Sequence, residues 1–231
     1  MILHRNKRIM NQLPPIYIKD CILEEVTKFK FLGVIISKSL NWHEHIMHLK
    51  CKLSKVCGVL HLSKSFLTKS SMLLIYFALI YSNLTYCNTL WGAASKEALR
   101  PLEVVQKRAV RIIDGLCKRE HTNASFYKYN LLKLHDINIF SCSNFIFKCL
   151  NGLAINIFFL NQINRRYPTR NNNTLIVPFV SSSQSQTNVK FYGPKFYNEL
   201  PCDVRSKTTL YIYSFKISLK QFLVHKYSAI V

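Results

Sequence analysis

Five groups of side chains in this sequence are of types that do chemistry, and their spacing decides which chemistry is open to them. Lys50, Lys52 and Lys55 form one cationic group, and Lys107, Arg108 and Arg111 a second. Cations held at such short intervals offer charge-assisted hydrogen bonds to phosphate, and an arginine fork matches two phosphate oxygens at once. The bland alternative for either group is a solvated helix face. His43, His45, His48 and Cys51 carry metal-ligating atoms, but His45 and His48 share one side of a helix while His43 precedes its first turn. Structural zinc draws on two separated ligand pairs, so no metal site is expected here. Cys57 and His61 stand at helical spacing and read as packing and surface, not as nucleophile and base. Asp20, Asp114, Asp136 and Asp203 are scattered and never adjacent, whereas two-metal phosphoryl transfer needs carboxylates that converge. The expectation is a chain that grips a polyanion and carries no catalytic residue.

The charge balance points the same way. Thirty-two Lys and Arg face 11 Asp and Glu, a formal net charge of +21. Such a surplus repels itself on compaction and attracts nucleic acid first, an anionic membrane surface second. With 49% hydrophobic and 19% charged residues, most of the chain is expected to fold. The longest apolar run, Met72 to Tyr81, has ten residues, about half of what a membrane span needs, and the first fifteen residues lack the apolar region of a signal peptide. The eight cysteines form no C-x-x-C pair. Reduced, mostly buried thiols in an intracellular protein, nuclear or cytoplasmic, are expected, with no membrane partner.

The elements that must position these groups can be read from periodicity. The first forty residues carry β-branched and aromatic runs around the elbow Lys19-Asp20, with Gly33 inside the second run, and predict a small antiparallel hairpin followed by one further strand. Asn41 and Glu44 form an Asx-x-x-Glu helix start, and Ile46, Leu49, Leu53, Val56 and Leu60 make an apolar stripe whose opposite side bears the first lysine group. A nearly chargeless helix over 69–81 is expected to be sandwiched, ending in the turn-rich stretch from Ser82. A third helix starts at Glu97 or Pro101 and runs to Ile113, with Leu102, Val105, Ala109, Ile112 and Ile113 inward. Helices follow over 124–132 and 135–151. A loop-rich segment brackets a short strand "LIVPF", and helices over 195–200 and 214–225 complete a mainly α chain: an N-terminal hairpin or sheet, a helical bundle and a mixed, loop-rich C-terminal region. Trp42, Trp91, Tyr192, Phe196 and Tyr197 could stack on exposed bases or serve the core.

The run "FKFLGVIISKSLNWHEHI" resembles the segment after the catalytic palm in reverse transcriptases of LINE-type, non-LTR retrotransposons, the jockey-like ones in particular. "LIYSNLTYCNTLWG", "LEVVQKRAVRII", "LLKLHDINIFSCSNFIFKCLNG", "SQSQTNVKFYGPKFYNELPCDVR" and "SFKISLKQFL" continue the resemblance in order. It implies end-of-palm, primer-grip strands over residues 1–40, a helical thumb-like region over 41–152 and a C-terminal extension over 153–231. Phe31, Leu32 and Gly33 match the primer-grip turn, where a missing Cβ lets nucleic-acid backbone approach; taken alone, Gly33 reads first as a simple bulge in a hairpin, and the downstream match turns the reading to the grip. Ser37 departs from the acidic residue the family often carries after this turn. The Tyr-x-Asp-Asp hairpin is absent, so the resemblance implies a chain that begins after it, lacking fingers and most of the palm, with no cofactor of its own although the full-length family enzyme uses Mg. A fragment of an RNA-directed DNA polymerase that binds template-primer nucleic acid is therefore expected. A stand-alone nucleic-acid-binding module and a helical interaction domain with an acidic partner are the alternatives.

Overall fold

The computed structural model describes residues 17–19, 21–22, 24, 26–39, 41–154, 174–181, 186–205 and 212–228. Two hairpins open it: β1 (Tyr17–Ile18) pairs antiparallel with β2 (Cys21–Ile22), and β3 (Lys28–Phe31) with β4 (Val34–Ser37). The expected single hairpin plus one strand is thus corrected, because the run 28–37 folds back on itself. Phe31 pairs with Val34, leaving Leu32 and Gly33 as a two-residue turn with φ +45° and +83°. Positive φ at both central positions suits the right-handed twist of the strands, and glycine adopts it at little steric cost. Gly33 is therefore a turn residue, not a bulge.

α1 (His43–Ser63) begins two residues after the expected cap, with no side-chain cap at Trp42. Ser37 Oγ donates to the Asn41 backbone carbonyl at 2.9 Å and lies 3.4 Å from its Oδ1, so Asn41 ties the end of β4 to the helix entry and does not cap the helix. Inward, α1 buries Ile46, Leu49, Leu53, Cys57 and Leu60. α2 (Lys69–Ile75) is capped by Thr68, whose Oγ1 accepts from Ser71 N. It passes into a π-helical segment (Tyr76–Tyr81) and then α3 (Ser82–Thr85), so the stretch expected to be turn continues a helical rod. Nor is the rod sandwiched: Met72, Tyr76 and Ile80 are buried, but Leu74, Phe77 and Leu79 face out. α4 (Asn88–Trp91) follows.

α5 (Lys96–Asp114) starts at the cap Ser95 and carries Pro101 inside it, so Pro101 is not the start. A proline there removes one backbone hydrogen bond, and the inward row Leu99, Leu102, Val105, Ala109, Val110 and Ile113 holds the helix against α1 regardless. α6 (Asn123–Lys128) ends before the expected Leu132, where Asn130 turns with φ +51°. α7 (Leu134–Leu150) is the central helix, flanked by α8 (Val189–Asn198) and α10 (Ile212–His225), with the short α9 (Cys202–Arg205) between them in sequence. α8 begins six residues earlier than expected, at the cap Asn188, and a Cβ on its Gly193 would lie 2.7 Å from Ile146 Cδ1. The missing side chain lets α8 nest on α7. Among the described residues "LIVPF" forms no strand beyond a one-residue bridge at Leu175, which is buried and held by the Asn198 side chain through both its N (2.8 Å) and its O (2.9 Å).

One apolar cluster runs from Ile46 to Tyr227. The expectation of mostly buried thiols is corrected: Cys57, Cys142 and Cys149 are buried, Cys87 partly, and Cys21, Cys51, Cys117 and Cys202 are exposed. Polar knots sit in this apolar interior. The Gln106 amide donates from Nε2 to Tyr76 Oη (3.0 Å) and Leu132 O (2.8 Å), while its Oε1 accepts from Leu134 N (2.9 Å). Asn138 Nδ2 donates to Asn88 Oδ1 at 3.0 Å, joining α7 to α4. Tyr227 Oη donates to Asp136 and accepts from Lys133 N. The helical part was legible from its apolar stripes; Gln106, inside one of those stripes, was not.

The second hairpin is fastened to the helices at two points. Tyr86 Oη donates to Leu32 O at 2.6 Å, and Tyr86 is in turn held by Trp91 Nε1 on its carbonyl (3.0 Å). Buried His45, its ring edge-on to both Trp42 and Trp91, accepts from Ile35 N through Nδ1. Burial, with help from the charge of His48, holds the His45 pKa down to about 4, so the imidazole is neutral.

Gln106→Leu leaves the Tyr76 hydroxyl, a carbonyl and an N–H without partners in the core. A loss of about 3 kcal/mol is expected in urea denaturation, with Tyr76→Phe costing much less. For His45, an unfolded imidazole protonates near pH 6.5 and the folded one only near 4. The unfolded state therefore binds more protons between those values, and stability should fall as pH drops from about 6.5 toward 4, with no contribution above 6.5. Urea midpoints across that range should fall less steeply in His45→Phe; parallel profiles would show that His45 is not buried as a neutral ring.

Candidate nucleic-acid interface

At about 100° per residue, Lys107 and Arg111 lie within about 40° of each other on α5, opposite Leu102, Ala109 and Ile113. Arg100 falls in the same row, seven residues before Lys107. Arg100 lies outside the two short-interval cation groups legible in the sequence; the i, i+7, i+11 spacing was the available signal. Arg108 stands to one side of this row, near enough to Cys57 on α1 for its charge to act against the burial that raises that thiol. Arg111 is fixed by its Nε, which donates to Glu120 O at 3.0 Å, so the α5–α6 loop carrying Lys118 and Arg119 is tied to the end of the row. Beside the middle of the row, burial lowers the Lys133 pKa, with Asp136 opposing and Lys107 assisting. Lys133 is steadied by Asn123 Oδ1 (2.9 Å) and by the Tyr227 ring, 4.1 Å below its ammonium.

The first lysine group is not brought onto one face. Lys52 and Lys55 lie about 60° apart around α1, but Lys50 lies about 140° or more from both. Lys52 turns toward α3, donating to Asn83 Oδ1 at 2.8 Å, while Lys50 is half-buried on the other flank. What the structure does assemble is Lys52 with the hairpin tip: Asn83 and Tyr86 lie one helical turn apart, and Tyr86 holds Leu32. Gly33 packs on the same ring, its would-be Cβ 3.5 Å from Tyr86 Cε1. Phe31 and Leu32 project outward, Leu32 with 74% of its surface exposed. Tyr86 was missed by the sequence reading, since nothing in the local pattern links it to a turn 54 residues earlier. Of the aromatics considered for stacking, Trp91, Phe196 and Tyr197 are buried, and Trp42 and Tyr192 are partly exposed.

Electrostatically the surface is one-sided. Among the described residues, Lys50, Lys55, Arg100, Lys107 and Arg108 form no ion pair, whereas Lys28 pairs with Glu44 (3.6 Å) and Lys69 and Lys128 with Asp114. Burial pushes the Asp114 pKa up, but hydrogen bonds from Ser125 (2.6 Å), Tyr129 (2.6 Å) and Lys128 (3.1 Å), with the charge of Lys128, outweigh it and hold it at about 2. Asp114 is thereby committed to joining α5 to α6, as Asp136 is to Tyr227. Asp203 sits apart on α9, and Asp20 lies outside the described residues. Among the described residues Asp114, Asp136 and Asp203 do not fit a two-metal site, since no group of three metal-ligating side chains gathers there. The His43, His45, His48 and Cys51 set does not close into a group either: among the described residues no three metal-ligating side chains gather. Of the described helices, none is long and apolar enough to cross a membrane.

No family model and no solved structure matches the chain. Among curated proteins, 44% of the chain is 29% identical to a probable RNA-directed DNA polymerase from transposon X-element of Drosophila melanogaster and 26% identical to the RNA-directed DNA polymerase from mobile element jockey of Drosophila funebris. Each match spans 12% of the relative's own length. Over that stretch the chain is similar to the RNA-directed DNA polymerases of jockey-like, non-LTR mobile elements.

Proposed function

We propose that this chain is the nucleic-acid-holding part of a mobile-element RNA-directed DNA polymerase. In this reading residues 1–40 are end-of-palm strands, 41–152 a thumb-like helical region and 153–231 a C-terminal extension. It grips a template-primer duplex and makes no bonds, because Asp114 and Asp136 are spent on internal hydrogen bonds and the bond-making carboxylates belong to the rest of the polymerase, together with the magnesium they hold.

The observation that carries the reading is the row Arg100, Lys107 and Arg111 on the face of α5 turned away from the core, unanswered by any ion pair among the described residues. A rigid helix presenting cations at such intervals can meet successive phosphates without reading bases. The tip of the second hairpin supports it from the other flank: Phe31, Leu32 and Gly33 are held in place by Tyr86 and stand beside Lys52, an arrangement suited to backing a strand end. That the relatives are RNA-directed DNA polymerases agrees with a polyanion as partner.

Titration of the purified chain with primer-template duplex at several salt concentrations tests this. Affinity should fall steeply with salt, by a log–log slope of about 0.9 per phosphate contacted. Replacing Lys107, Arg108 and Arg111 together with Gln should weaken binding about tenfold or more and shallow the slope by about two to three. Tyr86→Phe, which frees the hairpin tip without changing charge, should weaken binding and leave the slope unaltered. Salt-insensitive binding would remove the reading and favour a protein-interaction domain; unchanged affinity in the triple variant would remove the α5 site.

A further inference from the structure

The row on α5 does not end at Arg100 but runs into a cleft. Between the start of α5, the start of α7 and the outer side of α8 lies an opening of about 480 Å³, within the size range of small-ligand pockets. Its floor is aromatic: Tyr192 tilts on Phe196 with ring centroids 5.1 Å apart, and His135 meets Phe196 edge-on at 6.2 Å. Phe196 is buried, so Tyr192, partly exposed with Phe191 edge-on to it at 5.7 Å, is the ring of this floor that reaches the opening. Lys96 and Arg100 stand on one wall with Glu97 and Glu103. The close approach of α8 to α7 at Gly193, one residue after Tyr192, seats the floor on α7.

This combination is chemically particular. An aromatic face takes the flat surface of a base, cations beside it take the attached phosphate, and carboxylates accept hydrogen bonds from exocyclic amino groups of a base edge. A paired duplex cannot enter, since its bases are stacked on each other and its edges are paired. We propose that the cleft binds an unpaired nucleotide of the strand leaving the duplex that α5 grips, with the base on Tyr192 and its phosphate at Lys96 and Arg100. The inference rests on the proposed grip and adds a single-strand subsite to it, reached through Arg100, which belongs to both.

The test compares two probes with the full chain: a blunt duplex, and the same duplex with a short unpaired extension carrying 2-aminopurine. The extended probe should bind about tenfold more tightly, the gain expected from stacking one base, with its fluorescence quenched on binding. Tyr192→Leu and Lys96→Gln should each remove most of that difference while blunt-duplex affinity stays unchanged, and Tyr192→Trp should keep it. Lys96 is exposed on the first turn of α5, so its replacement spares the core even if a change at Tyr192 disturbs folding. Equal affinity for both probes without quenching, or a preference that survives both changes, overturns the subsite and leaves the grip intact. Failure to bind even the blunt duplex overturns the grip and the subsite together.

Discussion

The buried amide of Gln106 is the constraint on which the helical body turns. Three elements meet there that sequence separates widely: the π-helical segment through Tyr76, α5 through Gln106 itself, and the entry to α7 through Leu132 and Leu134. A carboxamide can serve all three because it donates and accepts at once, and in a dry interior each bond it makes spares a group that would otherwise be costly to bury. Apolar packing alone would let α5 slide or rotate against its neighbours. The amide fixes one register, and with it the direction in which the outer face of α5 points.

That direction matters because the outer face is where the charge surplus is displayed. A net charge of +21 on a folded chain is self-repulsive, and the structure relieves it only locally. Asp114 gathers Lys69 and Lys128 at the end of α5, and Lys133 rests on the Tyr227 ring. The cations of the α5 row are left open, on a helix capped at Ser95 and bound at its far end through Asp114 to α6. Rigid spacing of this kind lets a polyanion be met without ordering the site at the moment of contact.

The hairpin obeys the same logic at smaller scale. Two strands of four residues would have little stability alone, yet bonds from Tyr86 to Leu32 and from Ile35 to His45 pin both the tip and the second strand to the helices. Phe29, Phe31 and Leu32 can then remain exposed without the strands coming apart. Apolar residues held outward on a fixed support are surfaces for contact, as are Leu74, Phe77 and Leu79 on the rod.

By itself the sequence determined the helical class, the place of most helices, the cationic character and the scarcity of usable carboxylates. Periodic burial and charge are local properties, repeated every few residues, so they are written along the chain. It also carried the resemblance to mobile-element polymerases, which the relatives support over part of the length. The parting of Lys50 from Lys52 and Lys55, and the joining of Arg100 to Lys107 and Arg111, were also latent in the spacing, because a helix turns by about 100° per residue. Tertiary structure decided the rest. The helix start passed from Asn41 to Trp42, Pro101 was absorbed into α5, and among the described residues "LIVPF" was reduced to a one-residue bridge at Leu175. Tyr86 and Gln106 gained roles from residues 54 and about 30 positions away, and no pattern along the chain records which distant backbone group a buried polar side chain will meet.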